Sequence, residues 1–277
     1  MLRFAYNTNG LAHHRLEDAL RLVADLGYAG LAITPDVGQL DPQRATPAEI
    51  EAVRRLAEDL GLALSVETGA RFVLDPRRKH YPTLLEHAPE AREARLDFLR
   101  WAVDLGAELG AEAVSFWSGR GPEDAPEEEL WARLADGTRA LLEHAQERGV
   151  TLGFEPEPGM FVERPGGFEE LRRRLGSDGE RLGLTLDVGH CLCTGDLPVP
   201  AIVQRYASDL VQVQLDDIRD GVHEHRMFGE GDLDLPGVLA ALHAAGYTGL
   251  AQVELSRDAH RGAWAAETAI ERLRAAL

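Results

Sequence analysis

The sequence predicts one closed (β/α)8 TIM barrel spanning residues 1–277, and three observations carry that expectation. The chain has 277 residues, the usual length of such a barrel. An amphipathic helical stretch that ends in glycine and runs into a short β-rich segment recurs at Gly27, Gly61, Gly110, Gly149 and Gly246, as expected where glycine caps a helix ahead of a buried strand. Helix-to-strand links are short, whereas the strand-to-helix links 68–90, 119–126 and 216–235 are long. In a barrel all of the long links fall on the C-terminal face, where active sites are built.

The strands follow in order as RFAYN (3–7), GLAIT (30–34), ALSVE (63–67) and AVSFW (113–117), then TLGFE (151–155), GLTLD (183–187), LVQVQL (210–215) and LAQVE (250–254). These eight runs are largely apolar, as strands covered on both faces must be. An open doubly wound sheet is the competing arrangement, but no G-x-G-x-x-G follows the first strand.

Composition narrows the function. Apolar residues make up 44% and charged residues 27%, ordinary values for a globular chain. Asp plus Glu number 47 against 29 Lys plus Arg, a formal charge of −18. That field repels phosphate backbones and anionic membranes, so the expected partner is a small molecule, with no nucleic acid and no membrane. Cys191 and Cys193 give no disulfide framework, and C-x-C alone is a poor zinc signature. Lys79 is the only lysine, and its polar setting, DPRRKH, argues against Schiff-base chemistry. No apolar run reaches membrane length and the first residues, MLRFAYNTNG, lack a secretory pattern; the expectation is a cytoplasmic protein.

The late strands carry the chemistry. Glu155, Asp187, Gln214 and Glu254 lie at or next to the ends of four successive strands. Buried unpaired at a barrel rim, such side chains would be costly, so the set points to convergence on one divalent cation. Three carboxylates and an amide oxygen are hard donors that suit Mn²⁺ or Mg²⁺, while nearby histidines leave Co²⁺ or Zn²⁺ open. His190 is placed to touch substrate or to order Asp187. Trp117 is a candidate apolar wall and Glu67 a candidate hydrogen-bond partner for a substrate hydroxyl. His225 and Arg226 are the loop candidates for substrate binding. His223 is left between a further metal ligand and a structural role in its loop, and Gly229-Glu230-Gly231 is read as a turn. Arg71, Arg77, Arg78 and Lys79 form a local basic run, either solvated or receiving a phosphate or carboxylate.

Phe154-Glu155-Pro156, Leu186-Asp187-Val188-Gly189-His190, the segment from His223 to Asp232 (HEHRMFGEGD) and Val253-Glu254 together resemble the sugar isomerase/epimerase superfamily of xylose isomerase-like barrels, which also includes the endonuclease IV type of repair enzyme. The resemblance implies that Glu155, Asp187 and Glu254 bind the metal; the position of Gln214 usually holds histidine in that superfamily. It further implies that Glu155 and Glu254 exchange a proton with substrate on opposite faces through an enediolate. The expected function is therefore a metal-dependent sugar or polyol-ketone isomerase or epimerase. A dehydratase or lyase on a sugar or inosose-like substrate is the alternative on the same site, as is a non-catalytic sugar-binding barrel. The phosphodiesterase reading is weaker, because strand four ends in Ser115-Phe116-Trp117-Ser118-Gly119 without the histidines a three-metal site needs. Barrels of this kind often form homo-oligomers, although no exposed apolar stripe marks an interface.

Overall fold

A computed structural model describes residues 1–277. The barrel strands are β1 (Arg3–Asn7), β2 (Gly30–Ile33), β3 (Ala63–Glu67), β4 (Val114–Phe116), β5 (Leu152–Phe154), β6 (Leu182–Asp187), β7 (Leu210–Leu215) and β10 (Leu250–Val253). All pair in parallel, and β1 closes the ring between β2 and β10. Closure removes the sheet edges and gathers the C-terminal strand ends into one rim.

Each strand lies within about a residue of its predicted segment. The difference falls at the C-terminal ends: Thr34, Trp117, Glu155 and Glu254 stand one residue past the regular ladder. There the chain turns outward, although Glu155 N still donates to Phe116 O at 2.8 Å and Glu254 N to Leu215 O at 3.0 Å.

The outer helices are α1 (Leu16–Asp25), α2 (Pro47–Leu60), α3 (Pro89–Leu109), α4 (Glu127–Arg148), α5 (Pro165–Leu175), α6 (Val188–Thr194), α7 (Val199–Arg205), α8 (Leu235–Ala244) and α9 (Gly262–Ala276). Local sequence fixes their ends. Thr46 and Glu49 form a reciprocal capping box at α2, and Gly61 ends that helix at φ 68°, a conformation glycine adopts without the Cβ penalty. No helix is long and apolar enough to cross a membrane.

One feature was not expected. The connection 216–235 contains an antiparallel hairpin of β8 (Asp217–Arg219) and β9 (Val222–Arg226). Asp217 secures the chain that follows: its carboxylate accepts from Gly229 N at 2.8 Å and from Gly231 N and Leu233 N at 2.9 Å. The amides of Gly229-Glu230-Gly231 are thus spent within the loop, which is a turn rather than an anion cradle.

Packing between the first strands is tight enough to test. A Cβ at Gly30 would lie 2.6 Å from the Ala63 carbonyl oxygen and 3.0 Å from both methyls of Leu250. Because the nearest atom is backbone inside a closed ring, relief requires strand movement. Gly30→Ala is expected to destabilise the barrel by about 1–3 kcal/mol, measured as a lower urea midpoint at unchanged slope. An unchanged midpoint would show that β2 and β3 have room to part.

Candidate metal centre

The rim closes over a polar cavity of about 390 Å³ whose wall includes Glu67, Trp117, Glu155, His223, His225 and Glu254. Asp187, Gln214 and His190 are buried behind that wall. His190 ties the two groups together: Nδ1 is 3.7 Å from Glu155 Oε1, and Nε2 is 3.1 Å from His223 Nε2 and 3.6 Å from Asp187 Oδ2. Arg226 stands apart from the cavity wall; its guanidinium pairs with Glu224 on the same strand, so it is not among the residues the fold brings to this site.

Asp187 has two tasks. As the N-cap of α6 its Oδ1 accepts from His190 N at 2.9 Å, while the buried Oδ2 has no hydrogen-bond partner. Gln214 is its register partner across β6 and β7, and Gln214 Oε1 is likewise buried and unpaired. Glu254 is held from the short helical turn after β1, with Asn9 Nδ2 donating to its Oε1 at 2.8 Å. Glu67 Oε2 accepts from Thr34 Oγ1 at 2.7 Å.

Two acids join the set that strand-end reading did not select. Glu157 and Asp216 lie two residues beyond Glu155 and Gln214, and the period of two along an extended chain was the signal that could have found them. His225 Nδ1 lies 2.6 Å from Asp216 Oδ2. A Cβ at position 189 would fall on the Asp216 carboxylate, 2.9 Å from Oδ2 and closer still to Oδ1; glycine there leaves room for that acid. Asn9, Arg95 and His80 were also missed. Arg95 is buried with its guanidinium 4.5 Å over the Trp117 ring. His80, on the long link after β3, has φ 68° and both ring nitrogens unpaired.

Ligand-type atoms gather in three overlapping triads that could hold a metal ion: Glu155 with Glu157 and His190, Asp187 with Asp216 and His225, and His190 with His223 and His225. Of the four ligands expected from sequence, Glu155 and Asp187 fall in these triads, Glu254 lines the same cavity, and Gln214 lies beside Asp187 in the strand register. The unpaired Asp187 and Gln214 oxygens and the crowded carboxylates fit a hard divalent cation.

Crowding sets the protonation states. Burial, followed by the charge of Glu254, raises the Glu67 carboxyl to about 7. Burial raises Glu157 to about 7 against the opposing pull of His190, and burial with the charge of Asp187 raises Glu254 to about 8. Burial and then Glu157 push Glu155 well above the usual carboxylate range. Asp187 goes the other way: burial opposes its charge, but His190 and His225 and the amide of His190 outweigh that and lower it. His223 is drawn down to about 3 by burial and then by its histidine neighbours.

Comparison with known proteins agrees with this architecture. The family model for xylose isomerase-like TIM barrels matches residues 20–276, and the chain belongs to that family. It is 30% identical over 270 residues to a 3-dehydroshikimate dehydratase of Pseudomonas aeruginosa, covering 95% of this chain and 39% of that protein's length. It is 29% identical over 187 residues to an inosose dehydratase of Bacillus cereus, covering 58% and 61% of the two chains. The crystal structure of D-allulose 3-epimerase from Methylomonas sp. shares the fold, with a TM-score of 0.78, 18% identity and coverage of 100% and 97%.

The raised carboxyls make a stability prediction for metal-free protein. A carboxyl whose folded pKa exceeds its unfolded value holds its proton longer in the folded state, so stability falls as pH rises through that interval. Chelated protein is expected to lose on the order of 5 °C or more in Tm between about pH 5 and pH 8, and added Mn²⁺ to recover the loss through binding to the folded state. A flat profile without metal would mean that these acids are solvated.

Proposed function

We propose that this protein is a divalent-metal-dependent enzyme that removes a proton from the carbon beside the carbonyl of a sugar or polyol ketone. Glu155 and Glu254 are the proton-transferring pair. The observation that carries the reading is the group of buried carboxylates around one small polar cavity, several of them raised by burial above the ordinary carboxylate range. Such groups have pKa values matched to general acid–base work at physiological pH.

Glu155, Asp187, Gln214 and Glu254 would hold the ion, with Asp216 and His225 adjoining Asp187; Mn²⁺ or Mg²⁺ suits the oxygen-rich set, with Co²⁺ or Zn²⁺ open through the imidazoles. When bound, the ion supplies Lewis acidity that polarises the carbonyl and acidifies the neighbouring C–H. The chain's own groups do the rest. Asn9 engages Glu254 Oε1, leaving Oε2 to take or return a proton. Glu155 is the second proton-transferring carboxylate, with His190 beside its Oε1. Glu67 and His225 bind hydroxyls, and Trp117 gives one wall of the cavity an aromatic face. His190 and His223 orient the acids behind that wall.

Two outcomes share this first step. Return of a proton to the opposite face of the same carbon gives epimerisation, and its delivery to the former carbonyl carbon gives isomerisation; the presence of two separately held glutamates at the cavity supports this outcome. Loss of a hydroxyl beyond the new double bond gives dehydration, supported by the names of the sequence relatives.

The test is deuterium uptake from D₂O into a panel of ketoses and cyclic polyol ketones, with metal content measured on the same protein. Glu155→Gln and Glu254→Gln are each expected to slow exchange by about 10²–10⁴-fold, and chelation to abolish it until Mn²⁺ is returned. Labelled epimer among the products identifies an isomerase; loss of water identifies a dehydratase. Full exchange in both glutamine variants would remove these residues from the mechanism.

A further inference from the structure

Arg71 and Lys79 on the long link after β3, and Arg257 just beyond β10, all border the cavity. None of the three is closely paired with a carboxylate, although the cavity they border is lined with acids. Carboxylates outnumber Lys plus Arg 47 to 29, and on the outer helices Arg54, Arg100 and Arg174 each engage two. Arg71 and Lys79 form no salt bridge, and Arg257 reaches only Glu224 Oε1, at 3.9 Å.

The three cations also feel one another. Burial and then the charge of Arg71 push the Lys79 ammonium down, and Arg257 adds to the effect against the pull of Glu157 and Glu254. Were they present only to neutralise the acids, contact with those acids would be expected. Instead they form a cationic edge over an acidic floor, in a cavity large enough for a ring-sized ligand. An anion entering between them would gain charge-assisted hydrogen bonds and relieve their repulsion. His80 stands beside this edge, with its two ring nitrogens unpaired.

We infer that the substrate carries an anionic group, a carboxylate or a phosphate, which docks against Arg71, Lys79 and Arg257 while its ketone faces Glu155 and Glu254. The ketone half rests on the proposed reaction; the docking edge rests on the cavity wall alone. Specificity would then be divided between the rim cations, which select charge, and the strand-end acids, which select the oxygen pattern of the ring.

Calorimetric titration of Mn²⁺-loaded protein with quinate, myo-inositol 1-phosphate and uncharged myo-inositol tests the docking edge. One of the two anions is expected to bind at least ~10-fold more tightly than myo-inositol, and which one does so distinguishes carboxylate from phosphate. The preference should shrink when salt rises from about 20 to about 300 mM. It should collapse to within about twofold in R71Q/K79Q and weaken in R257Q, with Tm read on each variant to establish folding. Equal binding of charged and uncharged ligands, no binding of either anion, or a preference untouched in all variants would overturn the inference. Deuterium exchange on the same preparations reads the chemistry separately. Exchange without charge preference sinks the docking edge alone; charge preference without exchange sinks the reaction alone.

Discussion

The dominant constraint is the burial together of six carboxylates, Glu67, Glu155, Glu157, Asp187, Asp216 and Glu254, at one end of a closed barrel. A closed sheet brings its strand ends to a common rim, so acids far apart in sequence cannot separate. The surrounding structure manages that crowding. Asn9 and Thr34 donate to Glu254 and Glu67; the amide of His190 fixes Asp187. Glycine at 189 leaves space for Asp216. What these contacts leave uncompensated raises the carboxyl pKa values of Glu67, Glu155, Glu157, Asp216 and Glu254.

The histidines give this acid floor its second layer. Rings of His190, His223 and His225 meet at centroid distances of 4.5–5.8 Å, and burial with the neighbouring imidazoles keeps His223 neutral near physiological pH, so it does not repel its neighbours as a like charge. His223 and His225 come from the hairpin, whose following turn is bound back to the hairpin's first strand by Asp217. Their positions are therefore set by backbone geometry rather than by chance contact in a long loop, and a ligand meets a largely organised wall.

The repeating helix–glycine–strand phrase made the barrel legible, because each cap and each apolar run is a local property that tertiary packing reinforces. The strand-end acids were legible for the same reason: a carboxylate closing an apolar run contradicts burial unless the rim has a use for it. Reading only the last residue of each strand hid Glu157 and Asp216, which the alternation of side chains places with Glu155 and Gln214. The hairpin was hidden because its five-residue second strand, VHEHR, has little apolar alternation and depends on Asp217 accepting from distant amides. Arg226 illustrates the limit of sequence proximity: beside His225 in the chain, it is turned to Glu224 instead. Asn9 and His80 carry no motif; only closure of the ring brings them to the acids.

Lys79 is both the sole lysine in the chain and part of the cavity edge. Amine chemistry on this protein consequently has one side-chain address. Apart from the chain's amino terminus, acylation, reductive methylation or attachment of a fluorophore falls at the mouth of the barrel. The sequence has thus supplied a built-in reporter, where a single covalent label would register what enters and leaves.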